Sequence, residues 1–443
     1  MVKMKPVFKF TILSAVFMCW APSSAIALTG DGLINNPASS ITGQVERHAE
    51  RLVERAANRR VEHRSEALRK SLNALPDTLP VYTEAGQNAF NDVVLDDGFR
   101  AVERQWLVTG TAEDIDHLDR PGITVLERTA LSGLGMIVAR FRVRPDLDSL
   151  ETLRELLPEL ADRLDRNHVY SPQADESGSS EVPEVRSGVS LCEEPVRIGM
   201  IDTSVATDHS AFGDAQIIEQ RFLSIEDGRG ELAHVTTHGT AVAGQLIGRH
   251  GSSGQARLPG AKLFNASVFY TRNESLSGAT LAHLLQGLDW LATKEVSVIN
   301  ISLAGPDNRL LAEAVRNLKK RGALMVAAVG NEGPAASPLY PAAYSGVVGV
   351  TATSRAGELY RWANRGEQVM FSAHGVAVSV PHPEGGVKTE SGTSLAAPVV
   401  TAALACEASS SNPQKALEAL IDQAQDLGEP GRDSLFGFGF LPY

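Results

Sequence analysis

The chain from Pro195 onward alternates continuous apolar runs with segments of helical periodicity. The apolar runs are VRIGMID, AKLFNASVF, VSVINISL and LMVAAVG, and they are separated by GTAVAGQLIG, GATLAHLLQGLDWLAT and LLAEAVRNLKKR. Strands that are apolar along their whole length are buried on both faces, which is typical of a parallel sheet covered by helices. We therefore predict a doubly wound, mostly parallel α/β domain over residues 195–443, with its functional site at the carboxyl ends of the strands.

An earlier segment, from about Glu103 to Tyr170, has shorter elements of mixed type. RQWLVTG, ITVLERT, GMIVARFRV and RNHVYSP have the composition of strands. TAEDIDHLDR and DSLETLRELL have helical patterns, and Asp148 and Glu151 have capping-box spacing at the start of the second. The order β-α-β-β-α-β predicts a small α+β domain of the ferredoxin-like type over residues 99–170.

The segments on either side of this domain have simpler patterns. Residues 28–98 are predicted to be a helical N-terminal extension, because a proline-free, densely charged stretch from about Ile41 to Leu75 has a loose apolar stripe at helical spacing. Residues 171–194 are rich in Ser, Glu, Pro and Gly and have no periodicity. We therefore predict that they form an exposed linker, which proteases cut easily.

The N-terminus has the pattern of a secretory signal peptide. Three lysines precede an apolar run over residues 10–21, and a small-residue triplet ends at Ala27. A membrane anchor is the alternative, but the apolar run is shorter than the roughly 20 residues that a spanning helix needs. A lipidated Cys19 is a second alternative, although the preceding small residues are missing. We predict that residues 1–27 are removed and that the mature chain, with no membrane span, is secreted or periplasmic.

Composition narrows the classes of partner. The 443 residues include 41 Lys and Arg against 53 Asp and Glu, a formal charge of −12. Because nucleic acids and anionic membranes repel such a chain, we expect neither as a partner. Beyond the signal peptide the cysteines are Cys192 and Cys406. One disulfide and two buried thiols both fit the sequence.

Four residues at the edges of the predicted parallel sheet have the chemistry that acyl hydrolysis requires. Asp202 ends VRIGMID, His238 lies in THGTAVAG, Asn331 follows LMVAAVG, and Ser394 opens the last long helix in SGTSLAAPVV. A serine nucleophile needs an imidazole base, the base needs a carboxylate to fix its tautomer, and an amide can bind the oxyanion. Each residue alone is as easily a turn former or a helix cap. Together they favour a nucleophilic hydrolase.

Five segments in series then resemble the signature blocks of the subtilisin-like serine proteases: IGMIDTSVATDH, HGTAVAGQLIG, VINISLAGP, VAAVGNEGP and SGTSLAAPVVTAALA. The resemblance implies an endopeptidase that cuts proteins or peptides through an acyl-enzyme, with no cofactor and no catalytic metal. It implies that Asp202 orients His238, that His238 is the general base and then acid, and that Ser394 is the nucleophile. The Asn331 side chain and the Ser394 backbone N–H are the implied oxyanion hole.

The same resemblance implies two further features. Members of the family bind the substrate backbone as an added strand. The matching positions here are Ser302, Leu303, Ala304 and Gly305. The unit at 99–170 is similar to the family's propeptide, which assists folding and inhibits the enzyme until it is cut away. We therefore expect the chain's own propeptide-like domain as a partner, and a cut between about Tyr170 and Pro195.

Three positions depart from the usual pattern of the family. Ser204 stands where a glycine usually follows the Asp-Thr pair, and Ala304 replaces a glycine, which predicts a tighter specificity pocket. Leu395 replaces the usual methionine beside Ser394, which predicts tolerance of peroxide because a leucine has no thioether to oxidise. GRHGSSGQARLPGAKL lacks an oxygen-rich loop, so the calcium site of many relatives is not expected.

Two other functions fit parts of the sequence. His234 and His238 in HVTTH have the spacing of two zinc ligands on a helix, but Val235 stands where a metalloprotease needs a glutamate. The other alternative is a catalytically silent binding or inhibitory protein on the same fold. Retention of all four catalytic residue types speaks against it.

Overall fold

The computed structural model describes residues 75–173, 190–225, 230–249, 255–273 and 276–443. The predicted signal peptide, the predicted helix up to residue 74 and residues 174–189 of the predicted linker lie outside the described residues. Within the described ranges, no helix combines the length and the apolar character needed to cross a membrane.

Strands and helices are numbered here in chain order within the described residues. The strands are β1 Thr78–Tyr82, β2 Asn88–Val94, β3 Arg100–Thr109, β4 Ile123–Leu131, β5 Met136–Val143, β6 Leu164–Pro172, β7 Arg197–Asp202, β8 Gln216–Arg221, β9 Lys262–Ser267, β10 Tyr270–Asn273, β11 Leu276–Thr280, β12 Val298–Ile301, β13 Leu303–Ala304, β14 Leu324–Ala328, β15 Val347–Thr353, β16 Val369–His374, β17 Val378–Pro381, β18 Val387–Glu390 and β19 Phe440–Leu441. The helices are α1 Ala112–Asp116, α2 Leu150–Leu156, α3 Thr237–Ile247, α4 Leu281–Thr293, α5 Arg309–Lys320, α6 Thr393–Ser410 and α7 Pro413–Gln423.

The central sheet has the strand order β19-β16-β15-β14-β12-β7-β9-β8, and every neighbouring pair is parallel. Successive residues of a strand face opposite sides of a sheet. In β12, Val298 accordingly packs with α3 and α6, whereas Ile299 packs with α4 and α5 on the other side. The predicted α/β architecture with a parallel sheet is confirmed.

The described residues before Gln173 contribute six strands to a second, antiparallel sheet, which β11 and β13 of the later chain join through β6. Its elements follow the order β3-α1-β4-β5-α2-β6, and its strands lie in the order β4-β5-β3-β6. The hairpin β1-β2 adds to this sheet through β3. The predicted helical extension over 28–98 is therefore wrong for residues 75–98, which form strands. Val81 and Ala89 of this hairpin are buried against Leu232 and Tyr270, a tertiary contact that local periodicity does not reveal.

The start of α2 also differs from the prediction. Ser149 is the N-cap, and its Oγ accepts a hydrogen bond from the Thr152 backbone N–H at 3.0 Å. Asp148 instead accepts hydrogen bonds from Arg166 and from Trp106 Nε1. The capping-box prediction is thus wrong by one residue, because the carboxylate is held by partners in β3 and β6.

The sheet of β3 to β6 covers α4 and α5. Leu107 and Met136 belong to the same buried cluster as Leu284 and Val315 of these helices. Because of this packing, the end of β6 lies against the central domain, where Tyr170 pairs with Ala279 of β11. Residues 171–173 are therefore not the start of an exposed linker, as the sequence predicted, because later strands bind their main chain.

A disulfide joins Cys192 to Cys406. It ties the chain just before β7 to the last turns of α6. Of the two arrangements that the sequence left open, the structure contains the bridged one.

Candidate active site

Asp202 and His238 form a buried pair at the carboxyl end of β7. The Nδ1 atom of His238 lies 2.7 Å from Oδ1 of Asp202, and both side chains are at most 5% exposed. The same Oδ1 accepts a hydrogen bond from the Thr203 backbone N–H at 2.7 Å. Because a carboxylate can only accept, Nδ1 carries the proton, and Nε2 is the basic nitrogen of the ring.

The close approach of α3 to β7 depends on a glycine. The Gly239 N–H donates to Thr203 Oγ1 at 2.7 Å, and a Cβ at Gly239 would lie 2.4 Å from the Thr203 carbonyl oxygen. A larger residue would push His238 away from the strand. The unusual Ser204 is accommodated here, since its Oγ lies 2.9 Å from Ser267 Oγ.

Ser394 is the second residue of α6, and Gly392 is the N-cap. The alternative in which Ser394 is the helix cap is therefore wrong, because the cap lies two residues earlier. Its side chain is fully buried, and its Oγ has no hydrogen-bond partner among the described residues. N–H groups in the first turn of a helix have no partner within the helix. The Ser394 N–H donates instead to the main-chain carbonyl of Gln173 at 3.1 Å.

Asn331 lies in the turn after β14 with its amide in a fixed orientation. Its Oδ1 accepts hydrogen bonds from the backbone N–H and the hydroxyl of Thr393, at 3.1 and 2.9 Å. This leaves Nδ2 to donate to the Gln173 carbonyl oxygen at 2.7 Å. One carbonyl thus receives hydrogen bonds from both Asn331 and Ser394.

The last residues of β6 lie as an extended strand between β11 and β13. Pro172 is opposite Leu303, and Ser171 is opposite Ala304. The Gln173 N–H donates to the Ser302 carbonyl at 3.3 Å. The predicted segment from Ser302 to Ala304 therefore binds main chain in the structure.

Gly305 lies so close to the same strand that it has no room for a side chain. A Cβ at Gly305 would lie 2.4 Å from Cδ1 of Tyr170, whose ring is fully buried. The Tyr170 hydroxyl donates to the Pro306 carbonyl at 3.2 Å. Burial raises the pKa of Tyr170, so this hydroxyl stays protonated and remains a donor.

His234 is not part of a helical metal site. Helix α3 begins at Thr237, so His234 and His238 do not share a helical face. His234 Nδ1 lies 3.0 Å from Glu84 Oε1. Among the described residues, no group of three His, Cys, Asp or Glu side chains could hold a metal ion.

Hydrogen bonds join the four predicted catalytic residues in two pairs, Asp202 with His238 and Asn331 with Ser394 through Gln173. Sequence reasoning missed the orienting roles of Thr203 and Thr393 and the position of Gln173. Both threonines lie inside the motifs, next to Asp202 and Ser394, which is the only signal that could have found them.

Comparison with known proteins decides the family. Residues 194–439, more than half of the chain, match the model of the Subtilase family. The chain belongs to the subtilase family of serine endopeptidases. This subtilase is 33% identical over 242 residues to the minor extracellular protease Epr of Bacillus subtilis, covering 52% of this chain and 37% of that protein. It is also 33% identical over 220 residues to the major intracellular serine protease of the same organism, covering 47% of this chain and 67% of that one.

A solved structure extends the likeness of fold. Fervidolysin from Fervidobacterium pennivorans superposes with a TM-score of 0.62 at 18% identity, covering 83% of this subtilase and 62% of fervidolysin. That is more of the chain than the family model matches. The shared fold therefore includes residues that precede the catalytic region.

Proposed function

We propose that this subtilase cuts peptide bonds with Ser394 as nucleophile, His238 as general base and acid, and Asp202 as the residue that orients His238. Asn331 Nδ2 and the Ser394 N–H form the oxyanion hole. One observation carries the proposal: the Gln173 carbonyl accepts hydrogen bonds from both of these donors. Two convergent donors on one peptide carbonyl are the arrangement that stabilises a developing oxyanion.

The chemistry follows from these positions. Ser394 Oγ attacks the carbonyl carbon while its proton passes to His238 Nε2, and the carbonyl oxygen gains negative charge between the two donors. The tetrahedral intermediate collapses as His238 returns the proton to the leaving amine, which leaves an acyl-enzyme on Ser394. A water molecule, deprotonated by His238, then releases the acid. Asp202 stabilises the imidazolium in both halves of the reaction.

We propose further that the described N-terminal unit, residues 75–173, is an inhibitory propeptide and that residues 195–443 form the catalytic domain. The end of β6 occupies the predicted substrate strand position, with main chain bound by β11 and β13. The bond after Gln173, to Ala174, is then the one that the enzyme cuts in its own chain. This places the cut at the start of the expected window.

We propose that the working enzyme is exported from the cytoplasm. The N-terminal pattern of residues 1–27 supports secretion or a periplasmic location. The disulfide between Cys192 and Cys406 fits an oxidising compartment. The Epr relative is itself named an extracellular protease.

Active-site labelling tests the proposal. A fluorophosphonate probe should attach to the self-processed protein, and Ser394→Ala should abolish both the labelling and the cut after Gln173. Ser337→Ala, at an exposed serine, is the matched control and should change neither. Correctly folded wild-type protein that neither labels nor cuts casein would instead favour the silent binding protein.

A further inference from the structure

The side chain of Gln173 is held as closely as its main chain. The residue is 5% exposed, and its side-chain Oε1 accepts a hydrogen bond from the Asn331 backbone N–H at 2.8 Å. Its Nε2 donates to the Ser171 carbonyl oxygen at 3.3 Å. Both ends of the buried primary amide therefore have partners, as a buried polar group requires.

Asn331 thus contacts both carbonyl groups of a single residue. Its side-chain amide donates to the main-chain oxygen of Gln173, and its backbone N–H donates to the side-chain oxygen. The backbone donor is fixed by its neighbours: Gly330 has a φ of +109°, and the Glu332 N–H is held by Asn364 Oδ1 at 2.8 Å. The turn that builds the oxyanion hole therefore also presents a second donor at a set distance.

This second donor distinguishes side chains by their chemistry. An apolar side chain at the Gln173 position would leave the Asn331 N–H without a partner at a part-buried site, and a donor that loses its partner away from water carries a desolvation cost. A glutamate keeps the acceptor, but one carboxylate oxygen would replace the Nε2 donor beside the Ser171 carbonyl. Two acceptors would then face each other. A primary amide satisfies both contacts.

We propose that this site recognises glutamine as the residue immediately before the cleaved bond, so that its substrates are protein segments with an accessible glutamine in an extended strand. The inference rests on the proposed endopeptidase function and names its substrate class. Gln173 of the chain itself then occupies the position that a glutamine of another protein would occupy as substrate.

Matched peptides test the inference without altering the enzyme. The peptide Val-Tyr-Ser-Pro-Gln-Ala-Asp-Glu repeats residues 169–176. Two companions replace its glutamine by methionine, which has a similar length and no amide, or by glutamate. We expect kcat/KM for the glutamine peptide to exceed that for each companion by about 10-fold or more, as the loss of one buried hydrogen bond predicts. Equal or faster cleavage of the methionine peptide overturns the inference.

Digestion of casein by the same self-processed protein separates the two levels of failure. Mass spectrometry of the products should show glutamine enriched immediately before the cuts. Cuts with no enrichment of glutamine overturn the substrate class and leave the endopeptidase standing. If casein stays intact and the fluorophosphonate probe does not bind, the proposed function fails and the inference fails with it.

Discussion

Arg272 Nη2 lies 2.6 Å from Oδ2 of Asp92, and both side chains are at most 2% exposed. The pair joins β2 of the N-terminal unit to β10 of the catalytic region. Arg100 binds the other oxygen of the same carboxylate at 2.7 Å. One carboxylate therefore pairs with two guanidinium groups at the contact between the proposed inhibitor and the proposed enzyme.

Replacing Asp92 by Asn should destabilise the uncut chain strongly. Removing one member of a buried ion pair leaves its partner charged and unpaired, which costs about 3 kcal/mol or more. Urea unfolding of the Ser394→Ala chain, which we expect not to digest itself, measures the loss. The matched control is Asp214→Asn, because Asp214 and Arg249 form an ion pair at the surface. Such pairs contribute about 1 kcal/mol or less. Equal losses in the two variants would contradict the argument.

Replacing Asn331 by Leu should lower kcat by about 100- to 1000-fold, the range for loss of one oxyanion donor, of which subtilisin is the standard example. The backbone N–H at this position remains, so KM should change far less than kcat. Steady-state kinetics on the glutamine peptide measures the split. Asn331 also accepts hydrogen bonds from Thr393, so its loss could unfold the protein. The melting temperature is therefore measured too, and an unchanged value assigns the loss of kcat to the missing oxyanion donor.

The Leu395 position predicts resistance to oxidation. Leu395 is fully buried beside Ser394, and its side chain has no sulfur. We expect activity to survive dilute hydrogen peroxide, and Leu395→Met, a change that roughly conserves volume, to create sensitivity. Residual activity after timed exposure measures both. Rapid inactivation of the unaltered protein would contradict the prediction. After Gln173, Met200 and Met325 are fully buried and Met370 is half-buried.

His283 predicts a loss of stability in acid. Burial, with a smaller contribution from Arg140, lowers the pKa of His283 to about 3, against about 6.5 in an unfolded chain. The unfolded state therefore binds the extra proton between these values, and stability falls as the pH drops from about 6.5 toward 3. His283→Leu should reduce the difference in unfolding free energy between pH 7 and pH 4, measured on the Ser394→Ala chain.

His374 gives this experiment an internal comparison. Its pKa is also lowered to about 3, chiefly by burial and then by Arg355 and Arg257, so it acts in the same direction. A double variant with both His283→Leu and His374→Leu should lose more of the pH dependence than either single variant. An unchanged pH dependence in all three variants would show that other groups control acid unfolding.

Local sequence patterns predict the strands of the central sheet better than those of the N-terminal unit. The strands β7, β12 and β14 were predictable because residues buried on both faces leave continuous apolar runs. The hairpin β1-β2 was missed because TLPVY contains a proline and the strand is half-exposed. Its stability comes from tertiary contacts with Leu232 and Tyr270 that no local pattern encodes.

The site was predictable to the same uneven degree. The motifs identified the residue types at Asp202, His238, Asn331 and Ser394, since the chemistry needs those types. SPQADE has the composition of a linker, so no local pattern indicates that Gln173 is buried and makes five hydrogen bonds. Its position follows from the docking of the whole N-terminal sheet, which determines where β6 ends.

The bridge between Cys192 and Cys406 lies entirely after Gln173. A cut at Gln173 would therefore leave the described N-terminal unit without a disulfide to the rest of the chain. Its residence on the enzyme would depend on non-covalent contacts alone, with the Asp92–Arg272 pair among the most buried. The delay between self-cleavage and full activity is then the time that the N-terminal unit needs to dissociate, and the charges at that contact control its rate.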